Sequence, residues 1–168
     1  MRLDHLNDLP EWNDDAFDDE DEEGSETWKT NPTRDACKAL YQQWNQVVMM
    51  LNGALDSMNL VESEDDFPKE YWLDHKNMLL GDAYETGAKI RSSEAGGIYI
   101  IRMENASIIR KNAQFIQSSM LSMRAEKVLE TNYVQAIRDE IDKFKELFKH
   151  WVSTFKKDEY EDEWGLFI

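Results

Sequence analysis

The sequence contains one cysteine, Cys37, among its 168 residues. A disulfide cannot form within the chain, and a zinc site built from several thiolates is excluded. Histidine is also scarce, with His5, His75 and His150 as its three residues. None of them completes the Glu-x-x-His spacing that places two ligands of a di-iron site on one helix face. Cys37 lies on an apolar helix stripe, where a thiol behaves as a small hydrophobic group.

Basic residues are few, because 19 Lys and Arg face 35 Asp and Glu and the net charge is -16. Proteins that bind nucleic acids or anionic membranes display basic patches, so we expect neither partner. Long hydrophobic runs are missing too, and the N-terminus lacks the apolar core of a secretory signal. Together with the single cysteine, these features predict a soluble, cytoplasmic protein.

The acidic excess is concentrated at the N-terminus. Residues 1–26 contain twelve acidic residues and one base, whereas the remaining 142 residues carry an ordinary charge of -5. So dense a charge favours a flexible tail, which we place at residues 1–32. Trp12 and Phe17 interrupt the acids and fit a second interpretation, in which an acidic-aromatic segment folds against a partner or against its own bundle.

Beyond the tail, apolar residues recur every three or four positions, which is the period of an amphipathic helix. The clearest stripe consists of Val134, Ile137, Ile141, Phe144, Phe148, Trp151 and Phe155. We predict four helices, one that starts with Thr33 as its N-cap and three more over 69–92, 98–124 and 127–156. Short connections between such helices favour an all-α fold, an antiparallel four-helix bundle over residues 33–157.

The chain ends in an apolar segment, residues 158–168, in which acidic residues precede Trp164-Gly165-Leu166-Phe167-Ile168. Clusters of large apolar side chains are uncommon on the surfaces of monomeric proteins. We therefore expect this segment to pack on the end of the bundle or on a partner. Trp164 and Phe167 are its candidate partner-binding residues, as Trp12 and Phe17 are those of the acidic tail.

Asp82 and Glu85 on the second helix and Glu104 on the third are the weak candidates for metal ligands, since hard cations prefer carboxylate oxygens. All-helical nucleotide pyrophosphohydrolases hold magnesium with pairs of acids on neighbouring helices, but the third helix lacks its second acid. Polar residues on the third helix favour a polar layer that fixes the register of the helices, namely Arg102, Glu104, Asn105 and Asn112. The alternative is a pocket for a small molecule or an ion.

Two further stretches are residues 97–112, which begin Gly-Ile-Tyr-Ile-Ile-Arg-Met-Glu-Asn-Ala, and residues 133–167, which end Asp-Glu-Trp-Gly-Leu-Phe. These two stretches resemble a group of small acidic bacterial proteins with no assigned activity. The resemblance implies a bacterial cytosolic origin and transfers no functional residue. In helix layout alone, the chain is also similar to the oligomeric four-helix proteins encoded within intervening sequences of ribosomal RNA. That similarity would imply a basic face for RNA, which this sequence lacks.

The leading interpretation is a non-enzymatic interaction or scaffold protein that binds protein partners, including further copies of itself. We predict no catalytic residue and no cofactor, because each catalytic pattern is incomplete in this sequence. One alternative is a metal-dependent enzyme or metal binder that uses the acids of the second and third helices. Another is an acidic mimic of nucleic acid that inhibits a basic partner.

Overall fold

The computed structural model describes residues 8–17, 31–60 and 67–168. Its long helices are α1 (Pro32–Asp56), α2 (Lys69–Ser92), α3 (Tyr99–Ala125) and α4 (Thr131–Ser153), and a short 3-10 turn spans Asp14–Phe17. The described ranges contain no strand. Each helix packs on the next one, and α4 packs on α1. The predicted all-α four-helix bundle is confirmed, and its short connections make neighbouring helices antiparallel.

The core is built from the predicted apolar stripes. On α4 the side chains of Val134, Ile137, Ile141, Phe144 and Trp151 are buried. Phe148 is partly buried, and so is Phe155, which lies beyond the end of α4 at Ser153 and not inside the helix as predicted. Trp44 of α1 packs on Phe144 with 4.7 Å between ring centroids, and its indole N–H donates to the carbonyl oxygen of Ala83 at 2.8 Å. Because a buried indole N–H needs an acceptor, this bond ties α1 to α2, while the ring contact joins α1 to α4.

The predicted N-cap of α1 is wrong by two residues. Asn31 is the N-cap, and its side-chain oxygen accepts from the backbone N–H of Arg34 at 3.0 Å. Pro32 then occupies the first helical position, where its fixed φ and missing N–H suit a helix start. Thr33 instead donates its hydroxyl to the carbonyl oxygen of Thr154 at 3.2 Å, which joins the start of α1 to the end of α4.

The predicted start of α4 at residue 127 is also wrong, because α3 ends in a Schellman motif. Lys127 has a φ of 57° and donates its N–H to the Arg124 carbonyl oxygen at 3.0 Å, while the N–H of Val128 donates to that of Met123 at 2.8 Å. These two bonds satisfy carbonyls of the last turn and reverse the chain. Val128 is buried as a result, and α4 begins at Thr131.

Residues 8–17, which we call the N-terminal segment, lie on α1 and α2. Leu9 is buried against Gly87, where an added Cβ would approach the Leu9 Cδ2 atom to 2.7 Å. The hydroxyl of Tyr41 donates to the carbonyl oxygen of Pro10, and Asp14 forms an ion pair with Lys38 at 2.8 Å. The rest of the predicted flexible tail, residues 1–7 and 18–30, falls outside the described residues.

Each helix of the described ranges is too polar or too short for a membrane crossing.

Candidate functional site

A polar layer joins α2 to α3 in the otherwise apolar bundle. The amide nitrogen of Asn105 donates to the hydroxyls of Ser92 and Ser93 at 3.3 Å and 3.2 Å. That of Asn112 donates to the Glu85 carboxylate at 2.9 Å. Both asparagines are buried, and a buried amide without a partner would cost about 1–3 kcal/mol. These bonds therefore favour one register of α2 against α3.

The three candidate metal ligands do not come together. Asp82 and Glu85 share one face of α2, but Glu104 precedes Asn105, whose side chain meets Ser93 just beyond the end of α2. That position is eight residues from Glu85, or roughly 12 Å along the helix. Burial, and then the nearby Glu85 carboxylate, raise the pKa of Asp82. Within the described ranges, no group of three His, Cys, Asp or Glu side chains could hold a metal ion.

A second polar cluster lies at the end of the bundle where α2 stops and α3 starts. Glu94, whose side chain is 1% exposed, accepts from the Arg102 guanidinium at 3.1 Å. Arg102 also donates to the Gly97 carbonyl oxygen at 3.1 Å. Burial, and then the Glu94 charge, raise the pKa of the Cys37 thiol, so Cys37 is unsuited to nucleophilic chemistry. Glu94 is not among the predicted site residues, because it sits in a loop without any recognisable motif.

The C-terminal segment, residues 158–168, is attached to the same end of the bundle. Phe155 precedes it and packs on Trp151 with ring centroids 4.7 Å apart. The carboxylate of Asp158 then accepts from the backbone N–H of Tyr99 at 2.8 Å, at the first residue of α3. Ile98, the N-cap residue of α3, has no side-chain oxygen. The carboxylate of Asp158, 59 residues after Tyr99, therefore caps the N-terminus of α3 in its place.

Beyond Asp158, the C-terminal segment forms a turn stabilised by Asp162. The backbone N–H of Gly165 donates to the carbonyl oxygen of Asp162 at 2.9 Å. The backbone N–H of Leu166 donates to the Asp162 carboxylate, also at 2.9 Å. Gly165 has a φ of 74°, which glycine adopts without steric cost. Trp164 is 89% exposed and Ile168 is 81% exposed. The turn therefore presents large apolar side chains to solvent.

The structure separates the four candidate partner-binding residues into two pairs. Trp12 and Phe17 contact each other with 5.1 Å between ring centroids, and Trp12 also contacts Tyr41 at 5.6 Å. Both are partly buried on their own chain. Trp164 is almost fully exposed, and Phe167, three residues later, is partly buried. The C-terminal segment thus offers more apolar surface to a partner than the N-terminal segment does.

Comparison with family models, with curated proteins and with solved structures finds no match to this chain. The resemblance to acidic bacterial proteins consequently stays a prediction.

Proposed function

We propose that this protein is a non-enzymatic interaction protein that binds a protein partner through its C-terminal segment. The observation that carries the proposal is the exposure of Trp164, Leu166 and Ile168 on a turn with its own hydrogen bonds. Tryptophan is prominent among the residues that dominate binding energy at interfaces. A turn formed before binding also has less conformational entropy to lose when the partner arrives.

The charge of the segment indicates the kind of surface that it fits. Five acidic residues precede Trp164, namely Asp158, Glu159, Glu161, Asp162 and Glu163. A partner groove with an apolar floor and a basic rim would match both the aromatic ring and the carboxylates. The acids would act mainly on the rate of association and on the choice of partner, and the apolar side chains on affinity.

The proposal places the protein in the bacterial cytoplasm. The reducing environment there matches a chain whose single cysteine is buried. Fractionation of the native cell followed by immunoblotting would test the location, and recovery in the envelope fraction would contradict it.

Affinity capture from native cell extract tests the function. The full chain serves as bait beside a double variant, Trp164→Gln with Leu166→Gln. A matched control changes two exposed apolar residues of α2, Leu73→Gln with Met78→Gln. We expect wild type and control to capture the same proteins, and the C-terminal variant to lose them at least about tenfold. Capture that survives in the C-terminal variant, or no specific capture by wild type, would refute the proposal.

A further inference from the structure

A groove of about 240 Å³ lies between α3 and α4, on the side of the bundle. Ile141, Phe144 and Phe148 of α4 form its apolar floor. A cavity of about 150 Å³ is large enough for benzene, so this groove has room for one aromatic side chain. Its size suits a single anchoring residue of a peptide better than a whole small-molecule ligand.

The rim of the groove is basic, although the chain as a whole is strongly acidic. Arg110 of α3 and Lys145 and Lys149 of α4 line it. Lys149 forms an exposed ion pair with Glu146 at 2.7 Å, which contributes little in water. Arg110 and Lys145 make no ion pair within the described residues. An acidic peptide with an aromatic anchor would match this charge pattern and this floor.

The C-terminal segment of the chain is such a peptide, since five acids precede its exposed Trp164. We propose that the groove between α3 and α4 binds the C-terminal segment of a second copy, with Trp164 on the apolar floor. Three exposed glutamates of the segment then lie at the basic rim: Glu159, Glu161 and Glu163. This inference rests on the proposed function and names the partner as the protein itself.

A second copy is favoured over the chain's own segment by the structure of that segment. Its start is fixed at the bundle end through the bond of Asp158 to Tyr99. The turn at Asp162 then shortens its reach, and Trp164 remains 89% exposed. Arg110 lies eleven residues beyond Tyr99, roughly 16 Å along α3. In this conformation the segment leaves its own groove empty for another molecule.

The proposed contact is heterologous, because the segment and the groove are different surfaces. Each copy then offers one segment and one groove, and successive contacts either close into a ring or continue as an open chain. The net charge of -16 opposes association of copies in general. Attraction is therefore confined to the place where acids meet the basic rim, which gives the contact one orientation.

Sedimentation velocity of full-length protein over about 1 µM to 1 mM tests the proposal. The segment variant carries Trp164→Gln with Leu166→Gln, and the groove variant carries Lys145→Glu with Lys149→Glu. The control reverses two exposed lysines elsewhere, Lys69→Glu with Lys111→Glu. We expect wild type and control to associate as concentration rises, and each of the other variants to associate at least about tenfold more weakly.

A mixture of the two variants gives the decisive result. The segment variant keeps an intact groove and the groove variant keeps an intact segment, so the mixture should form a dimer with one copy of each. Wild type that stays monomeric throughout, or a mixture that forms no dimer, would overturn the inference. If copies remain monomeric while capture from extract still requires Trp164 and Leu166, self-docking fails and the proposed function stands.

Discussion

Lys127 occupies a backbone conformation that suits glycine, and replacing it should stabilise the protein. Its φ is 57°, at the position after the cap of α3 where Schellman motifs usually have glycine. The two hydrogen bonds that define the motif, from the N–H groups of Lys127 and Val128, use backbone atoms alone. A substitution at the exposed Lys127 side chain therefore leaves the motif itself intact.

Two opposing effects determine the magnitude for Lys127→Gly. A left-handed conformation costs a residue with a Cβ atom about 1–2 kcal/mol, and glycine removes that cost. Glycine also gives the unfolded chain more conformational freedom, and this offsets roughly 0.5–1 kcal/mol of the stabilisation. The free energy of unfolding should thus rise by about 0.5–1 kcal/mol, and for a chain of this size Tm by about 2–3 °C.

Urea and thermal unfolding, followed by circular dichroism, measure this change. Lys127→Ala is the matched control, because alanine removes the long side chain and keeps the Cβ atom. Its free energy of unfolding should stay within about 0.5 kcal/mol of wild type. The reasoning is refuted if the glycine variant is no more stable than wild type, or if the alanine variant gains as much.

Three further predictions concern the bundle ends and the α2 surface. Asp158→Ala should lower the free energy of unfolding by about 1 kcal/mol, because the start of α3 loses its side-chain acceptor; Glu161→Ala, an exposed neighbour, should change it little in the same urea unfolding assay. Gly87→Ala should make the N-terminal segment sensitive to protease, because the new Cβ would clash with Leu9. Gly81→Ala is the control, since an added Cβ there has no atom within 4 Å. Equal cleavage of both variants would contradict this. His75→Phe should reduce the loss of stability in acid. Burial lowers the pKa of His75 below 6.5, so His75 takes up a proton more readily in the unfolded chain than in the folded one. In the wild type, stability is therefore lost as pH falls below about 6.5. Urea unfolding at several pH values checks this, with His150→Phe as control. If the free energy of unfolding of His75→Phe depends on pH as steeply as that of wild type, the prediction fails.

The helices were predictable because their signal is local. An apolar residue at every third or fourth position identifies a buried helix face wherever its partner lies, and most of the predicted α4 stripe is indeed buried. The helix ends were harder to predict. Asn31 and Thr33 are both good caps, and the choice between them depends on where the following backbone becomes helical. Lys127 carries no sign of a left-handed residue, and neither Val128 nor Leu129 belongs to the apolar stripe of either helix, so the exact residue at which the chain reverses has no local signal.

The candidate site depends on contacts between residues distant in sequence, and these have no signature in the chain. Asp158 looks like one acid among five, and only the fold shows that its carboxylate meets the start of α3. Glu94 likewise lies in a polar loop, yet its side chain is buried against Arg102. The proximity of the basic rim residue Arg110 to Lys145 could be expected from an antiparallel bundle, but the apolar groove between them could not.

The attachment of the C-terminal segment explains how one exposed peptide can be specific. Arg102 is held by Glu94 and lies over the Phe155 ring at 6.0 Å from its centroid. Together with the bond from Asp158 to Tyr99, this contact fixes the point where the segment leaves the bundle. Trp164 follows six residues later on its own turn, so few backbone torsions remain to be ordered on binding. A peptide anchored in this way keeps its acids and its aromatic ring in a defined order along the chain, and a groove with a basic rim can select both features at once.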